Sequence, residues 1–189
     1  MTGMRRGELL GLQWGDIDWN RNLISVKRGL FWLSHHEKDD QDKVRWRFIT
    51  PKTKRSVRSI VMSATLSKAL QIHRINCPVS QYDLVFCNTV GNPLDPDNMV
   101  KREFFPALVR AGLRKVRFHD LRHSYASLLL AQNENIKFIQ SQLGHESIQT
   151  TIDRYSHLMP NHNVGVGDRL DGQLFGKSYD NQEAVAVVP

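Results

Sequence analysis

Apolar residues recur at helical spacing through most of this chain, and strand-like runs are confined to its first third. The first helix is predicted from about Met4 to Trp14, with its leucines turned toward a core. Three runs rich in Val, Ile and aromatic residues then predict a small antiparallel sheet. These runs cover residues 23–31, 44–50 and 57–62, with a long polar loop at 35–43 and a tighter turn at 51–55 between them.

The rest of the chain to residue 158 is predicted to be helical, because capping residues flank each apolar repeat. Ser63 and Ser147 suit helix starts, and Gly112 and Gly144 suit helix ends. The predicted helices follow Ser63, run from Asp95 or Asp97 to Ala111, and cover about 119–132, 136–143 and 147–158. The predicted fold class is therefore α+β, mainly helical, with a small three-stranded antiparallel sheet.

The composition changes after Pro160, and residues 161–189 are predicted to form a separate tail. Residues 168–175 have the spacing for one or two helical turns. Gly165, Gly167 and Gly172 oppose a helix there, since each glycine costs roughly 1 kcal/mol relative to alanine. The pattern therefore predicts one domain over residues 1–160 and a loosely structured tail.

The chain of 189 residues is basic, with 26 Lys and Arg against 19 Asp and Glu, a net charge of +7 and a pI near 9.6. This balance favours a polyanionic partner, although a basic surface without a specific partner explains it equally well. Cys77 and Cys87 lack zinc-ligand spacing and are interpreted as unpaired thiols in a reducing cytoplasm. No apolar run reaches the ~18 residues of a membrane span, and no signal-peptide pattern occurs.

Several residues have the chemistry needed to bind and attack a phosphodiester. His119 and Arg122 stand at i and i+3, so they share a helix face. Arg5 begins a helix, where exposed N–H groups favour an anion, and Glu8 is spaced to orient it. His145 follows the predicted helix end at Gly144, as a potential donor to a phosphate oxygen.

Tyr155 lies ten positions after His145, in a polar stretch where a core role is less natural. Guanidinium groups suit phosphate oxygens because their paired donors match the geometry and keep their charge. A phenol that loses its proton is a nucleophile, and the leaving oxygen needs a proton donor.

A basic hairpin adds a second, broader signal. Seven basic residues and no acidic one lie between Lys43 and Arg58. Arg45 and Arg47 alternate with Trp46 and Phe48, so one strand face is cationic and the other can pack. Such a strip predicts salt-dependent DNA binding, while a solvated charged hairpin is the alternative. The predicted DNA-binding residues are Arg45, Arg47, Lys54, Arg55 and Arg58.

Each candidate also has an ordinary structural interpretation. Single arginines such as Arg5 and Arg122 are more often solvated or paired on a surface. Tyr155 is equally compatible with a half-buried aromatic whose hydroxyl is hydrogen-bonded. His119 and His123 at i and i+4 have metal-ligand spacing without a third ligand, and His123 is interpreted as a helix-packing residue. Individually these residues decide nothing.

The order of the motifs resembles the catalytic domain of the tyrosine recombinases, the phage integrase family. Thr2-Gly-Met-Arg5-Arg-Gly-Glu8 resembles the first arginine box, and Pro51-Lys52-Thr-Lys resembles the lysine hairpin. His119-Asp-Leu-Arg122 resembles the His-x-x-Arg box. Leu143-Gly-His145 and Asp153-Arg-Tyr155 resemble the last two boxes. The resemblance covers residues 1 to about 160, and five boxes in register are specific.

The resemblance implies a site-specific recombinase that cleaves and rejoins double-stranded DNA without metal or cofactor. Arg5, Arg122 and His145 would hold the phosphate, and Tyr155 would attack it to leave a 3′-phosphotyrosine. Lys52 would protonate the 5′ oxygen, and His119 would assist proton movement at the phenol. The resemblance also implies a homotetramer on DNA, a monomer or weak oligomer without it, and docking of the tail on a neighbouring subunit.

The chain departs from the family pattern in two respects. It begins inside the first box, so we expect an N-terminally truncated catalytic domain with uncovered apolar surface at Leu9, Leu10 and Leu12. The glycines after Tyr155 weaken the docking helix. Two alternatives therefore stand beside an active recombinase. One is an inert DNA-binding remnant of an integrase, and the other is an enzyme like the type IB topoisomerases.

Overall fold

The computed structural model describes residues 1–33, 45–50, 57–158 and 166–175, and the chain divides into two units, Met1–Leu158 and Met159–Pro189. The predicted loop at 35–43 and turn at 51–55 lie outside the described residues. The helices of the first unit are α1 (Arg6–Leu10), α2 (Ala64–Asn76), α3 (Pro96–Met99), α4 (Phe105–Arg110), α5 (Asp120–Ala131), α6 (Ile136–Leu143) and α7 (Ile148–Tyr155). The strands are β1 (Ile17–Asp18), β2 (Leu23–Val26), β3 (Gly29–Trp32), β4 (Trp46–Ile49) and β5 (Arg58–Val61).

The first helix is shorter than predicted, because the chain after it pairs with a later segment. It ends at Leu10, where the Gly11 N–H bonds to the Gly7 carbonyl. The Leu12 carbonyl then accepts from the Val85 N–H at 2.9 Å. A 3₁₀ turn follows at Trp14–Asp16. The expected apolar surface here is also wrong in part, since Leu10 and Leu12 are buried and Leu12 lies in the same apolar cluster as Val85.

The strands form a small three-stranded antiparallel sheet, as predicted, but with different members. Its order is β1-β2-β5, and β3 pairs with β4 in a separate two-stranded ribbon. The predicted strand over residues 23–31 is therefore two strands. The break falls at Lys27 and Arg28, whose side chains both turn to the buried carboxylate of Asp16. At the two residues that form these ion pairs, the chain leaves the ladder of β2 and does not continue it into β3.

Helix starts and ends fall close to the predicted caps. The Ser63 hydroxyl accepts from the Leu66 N–H, and the Ser147 hydroxyl accepts from the Gln149 N–H. Asp95 caps α3, which continues through a π-helical turn (Val100–Phe104) into α4. Gly144 ends α6 in the left-handed conformation. The local chemistry of these caps therefore determines the boundaries, as the sequence indicated.

The second unit contains α8 (Val166–Phe175), a helix of ten residues. It is longer than the one or two turns predicted. Gly167 and Gly172 lie inside it, so the two glycines do not prevent a helix here.

Two apolar clusters hold the first unit together. The first joins the three-stranded sheet to α2 and the segment after α1, through Ile24, Val26 and Ile60. The second joins α5, α6 and α7, and the side chain of Tyr155 belongs to it. Contacts between α6 and β5 connect the two clusters. The candidate site lies next to this contact, since Arg122 and Arg58 both donate to carbonyls at the end of α6.

We predict that alanine at Gly144 destabilises the protein more than alanine at Gly112. Both glycines are left-handed, with φ of +66° and +65°, so both substitutions carry backbone strain of about 1–2 kcal/mol. Only at Gly144 would the new Cβ meet another group, 2.9 Å from Arg58 Nη1. Overpacking there adds about 1–3 kcal/mol. Denaturant unfolding measures both variants, and equal losses would contradict the account.

Candidate active site

Arg122 lies at the centre of the candidate site, on the first turn of α5. Its side chain is buried, and its guanidinium donates to the Gly3 carbonyl at 2.6 Å and to the Leu143 carbonyl. Burial, assisted by the charges of Arg5 and Arg58, lowers the pKa of Arg122 to about 10. The group therefore stays cationic at neutral pH. It links the start of the chain to the end of α6.

A single buried carboxylate, that of Glu8, binds two arginines. Arg5 Nη1 donates to Glu8 Oε1 at 2.8 Å, and the Arg5 N–H donates to Glu8 Oε2 at 2.7 Å. Arg58 donates to both oxygens, at 3.0 and 2.8 Å. Burial alone would raise the pKa of Glu8, but the two guanidinium groups outweigh it and the pKa is lowered. Glu8 therefore orients Arg5, as its spacing predicted.

His145 follows the left-handed Gly144 and is buried beside α7. Its Nδ1 lies 2.9 Å from the Thr151 hydroxyl, which is fully buried. Burial and the charges of Arg122 and Arg5 lower the pKa of His145 to about 4, so the ring is neutral at pH 7. When the Thr151 hydroxyl donates to Nδ1, the ring hydrogen is on Nε2. That nitrogen is then the donor available to a phosphate oxygen.

Tyr155 is buried at the end of α7, with 2% of its surface exposed. The expectation that a core position is less natural for this residue is wrong, because its ring packs with Ala126, Leu130 and Ile139. Its hydroxyl lies 2.8 Å from His123 Nδ1. Burial raises the pKa of Tyr155, and the charges of Arg122 and Arg154 oppose that rise. The phenol is therefore protonated at neutral pH and has a histidine as its partner.

His119 is exposed and serves as the N-cap residue of α5. Its ring lies perpendicular to that of His123, with centroids 5.0 Å apart. Partial desolvation of the ring on the side that faces the protein comes first, and the charges of His123, Arg122 and Arg154 add to it, so the pKa of His119 is lowered. The histidine that contacts the Tyr155 hydroxyl is thus His123, whereas the sequence had pointed to His119 for proton movement at the phenol.

Five of the six residues predicted to form the site lie together. Arg122 donates to the Leu143 carbonyl and Arg5 to the Gly144 carbonyl, directly before His145. The His119 ring and the Tyr155 hydroxyl both contact His123, the residue after Arg122. The charges of Arg5 and Arg122 accordingly act on His119 and His145, and that of Arg122 acts on Tyr155. Arg154 is exposed on α7 and acts on all three. Lys52 lies outside the described residues. The cluster combines Arg5, His119, Arg122, His145 and Tyr155.

The predicted DNA-binding residues fall into three groups. Arg45 and Arg47 are exposed, and the alternate side chains Trp46 and Phe48 pack against Tyr82, with Trp46 and Tyr82 centroids 4.8 Å apart. The alternation on this ribbon is therefore as predicted. Lys54 and Arg55 lie outside the described residues. Arg58 is buried on Glu8, which does not fit the expected direct contact with DNA.

Sequence reasoning missed the roles of His123, Arg58 and Thr151. His123 follows Arg122 directly, but only the crossing of α5 and α7 brings its ring to Tyr155. The sequence did show the second histidine one turn after His119, on the same helix face, but its spacing was considered only for metal binding and it was interpreted as a helix-packing residue. Thr151 offered no signal, because a buried threonine is common in helices that pack.

The two cysteines contact each other, with 3.8 Å between the sulphur atoms, and both are partly exposed free thiols. Among residues 1–33, 45–50, 57–158 and 166–175, no group of three or more His, Cys, Asp or Glu side chains is placed to hold a metal. None of the helices in these ranges is long and apolar enough to cross a membrane.

Comparison with known proteins identifies relatives for nearly the whole chain. Residues 1–162 match the phage integrase family. The chain is 34% identical over 187 residues to the ICEBs1 integrase of Bacillus subtilis, covering 92% of this chain and 47% of the relative. It is 30% identical over 184 residues to a tyrosine recombinase XerC-like protein of Caldanaerobacter subterraneus subsp. tengcongensis, covering 90% and 46%. The chain thus spans about half the length of these relatives.

Solved structures share the fold. The Tn1549 transposon integrase in complex with a circular intermediate DNA superposes with a TM-score of 0.69 at 21% identity, over 92% of this chain and 55% of that one. The XerA recombinase superposes with a TM-score of 0.60 at 27% identity, over 91% and 52%. The mainly helical fold with a small antiparallel sheet is therefore that of the tyrosine recombinase catalytic domains.

We predict that folding stability rises with pH between about 4 and 6.5. The unfolded chain keeps a proton on His145 up to its ordinary pKa of 6.5, whereas the folded protein releases it above about 4. Unfolding therefore takes up protons in this window, and raising the pH stabilises the fold. His145→Asn should remove on the order of 3 kcal/mol of this rise, since the pKa falls from 6.5 to about 4 and each unit corresponds to about 1.4 kcal/mol. Denaturant unfolding at several pH values measures it, and an unchanged slope in the variant would refute it.

Proposed function

Because the chain belongs to the phage integrase family, we propose that it is the catalytic portion of a site-specific DNA recombinase. One observation carries this proposal. Arg5 and Arg122 lie beside His145, the charge of Arg122 acts on Tyr155, and the Tyr155 hydroxyl is hydrogen-bonded to His123, whose pKa is lowered. This cluster has the donors for one phosphodiester and a nucleophile beside them. Residues 1–160 are the proposed catalytic domain.

The phosphate-binding step uses charge that is fixed before DNA arrives. The guanidinium of Arg122 is held by backbone carbonyls, and that of Arg5 by Glu8 and by the Gly144 carbonyl at 3.3 Å. Neither group needs to reorganise strongly to meet an anion. Transition-state charge on the nonbridging oxygens is stabilised by such preorganised donors. His145, through Nε2, adds a neutral donor.

Strand cleavage would proceed by attack of the Tyr155 oxygen on phosphorus. The bond from phosphorus to the 5′ oxygen breaks, which leaves a 3′-phosphotyrosine and a 5′ hydroxyl. Lys52 is the proposed donor of the proton to that oxygen. The phosphodiester energy is kept in the tyrosyl ester, so the hydroxyl of another strand can reverse the step. Repeated exchange of this kind is recombination.

Double-stranded DNA is the proposed partner. The net charge of +7 and the exposed Arg45 and Arg47 support it, together with Lys54 and Arg55 nearby in the sequence. The Tn1549 integrase and the XerH recombinase were both solved with DNA. A homotetramer on DNA, and docking of α8 on a neighbouring subunit, belong to the same proposal.

We predict a covalent adduct between the protein and DNA that requires Tyr155. The protein is incubated with a pool of nicked suicide duplexes, in which loss of a short fragment prevents religation, and adducts are resolved under denaturing conditions. Tyr155→Phe should abolish the adduct, and Lys52→Ala should slow its formation about 10²–10⁴-fold. EDTA should leave the yield unchanged.

Tyr125→Phe is the matched control, since Tyr125 is a partly buried tyrosine on α5 whose ring packs against the same apolar cluster as Tyr155. An adduct that survives Tyr155→Phe would contradict the assignment of the nucleophile. No adduct from any variant would favour the inert DNA-binding remnant. Relaxation of supercoiled plasmid without strand exchange would favour a topoisomerase.

A further inference from the structure

We propose that His123 accepts the phenolic proton of Tyr155 when the tyrosine attacks, and so acts as a catalytic residue. This inference rests on the recombinase function proposed above and assigns a role within its site. The contact that carries it is the 2.8 Å separation of His123 Nδ1 and the Tyr155 hydroxyl oxygen. Among the described residues, this is the side chain that bonds to the attacking atom.

The packing of the two helices holds this pair in place. Tyr155 is 2% exposed and is fixed among Ala126, Leu130 and Ile139. His123 is partly exposed, so its ring has both a buried partner and a route to solvent for the proton. The rings of His123 and Tyr155 lie 5.9 Å apart at a tilt of 58°. The two rings are tilted and not stacked, so the 2.8 Å hydrogen bond is the close polar contact between them.

The charges around His123 keep its ring neutral and ready to accept a proton. Burial is the first cause that lowers the pKa of His123, and the net effect of its charged neighbours reinforces it. Arg154 acts from α7, Arg122 and Asp120 act from α5, and Arg117 acts from the segment before α5, with Asp120 alone raising the pKa. His119 also faces the ring. A neutral ring with its hydrogen on Nε2 leaves Nδ1 as the acceptor.

The step balances as follows. The bond between the Tyr155 oxygen and phosphorus forms while the bond from phosphorus to the 5′ oxygen breaks. The phenolic proton moves to His123 Nδ1, and the 5′ oxygen takes a proton from Lys52. On religation the 5′ hydroxyl attacks phosphorus and gives its proton back to Lys52. The phenolate of Tyr155 leaves and recovers its proton from the protonated His123. His119, whose ring lies perpendicular to that of His123, is then next to the proton acceptor and is not itself the acceptor.

The first experiment uses a single duplex, identified from the pool of suicide duplexes as one that forms the adduct. This duplex is synthesised with either oxygen or sulphur as the bridging 5′ atom of the scissile phosphate, and single-turnover cleavage is measured on both forms. Sulphur leaves without a proton, so only defects on the nucleophile side persist on that substrate. His123→Ala should slow cleavage about 10²–10⁴-fold on both substrates. The defect should shrink as the pH approaches the pKa of the phenol, and added imidazole should restore part of the rate.

His119→Ala is the comparator on the same helix face. Suppose that His119→Ala slows cleavage, that this slowing diminishes at alkaline pH, and that His123→Ala shows no such effect. The phenolic proton then goes to His119 and the proposal is wrong. Cleavage by His123→Ala at the wild-type rate or faster would also overturn it, since His123 would then be dispensable or a restraint on Tyr155.

A second measurement tests the pair independently of cleavage. In protein labelled with ¹⁵N-histidine, His123 Nδ1 should be unprotonated above pH 7, and its resonance should move in Tyr155→Phe. A proton on Nδ1 would make the ring a donor to Tyr155 and would overturn the proposal even in an active enzyme. If the wild-type protein makes no adduct while the resonance behaves as expected, the recombinase function has failed, and His123 remains paired with Tyr155 without a catalytic role.

Discussion

The rest of the site depends on one buried carboxylate shared by two arginines. Glu8 lies on α1, Arg58 on β5, and the Arg58 Nε–H donates to the Gln142 carbonyl on α6 at 2.7 Å. Three elements distant in sequence therefore meet at one acid. A charge without a partner in this position would cost several kcal/mol, so the elements either assemble together or not at all. Arg5 is held in the site by the same acid, so the position of this proposed phosphate-binding residue is a consequence of the fold.

The cluster contains more positive charge than its own acid can neutralise. Arg5, Arg58 and Arg122 face one carboxylate, and backbone carbonyls of Gly3, Gln142, Leu143 and Gly144 also accept hydrogen bonds from these guanidinium groups. His145 remains neutral in this field, with a pKa of about 4. The backbone carbonyl dipoles therefore reduce the electrostatic repulsion among the three guanidinium groups, without additional acidic side chains. An entering phosphate diester would relieve the repulsion that remains.

The sequence predicted residue types well and contacts less well. Caps at Ser63, Ser147 and Gly144 were predictable because capping is a local property of a few neighbouring groups. The division of residues 23–31 into two strands was not, since it depends on Asp16, which approaches only after the chain has turned. His123 was missed for a similar reason, because the crossing of two helices decides which of two histidines meets Tyr155. Burial of Arg58 likewise required a partner fifty positions away.

A double-mutant cycle on Glu8 and Arg58 tests most directly whether this carboxylate organises the site. Unfolding free energies of Glu8→Gln, Arg58→Met and the double variant give the coupling energy between the two side chains. The account predicts a coupling of about 2–3 kcal/mol, as found for buried contacting pairs. The exposed pair Arg6–Asp97, at a similar 2.9 Å, is the matched control and should couple by less than about 1 kcal/mol. A Glu8–Arg58 cycle that closes within about 0.5 kcal/mol would contradict the account.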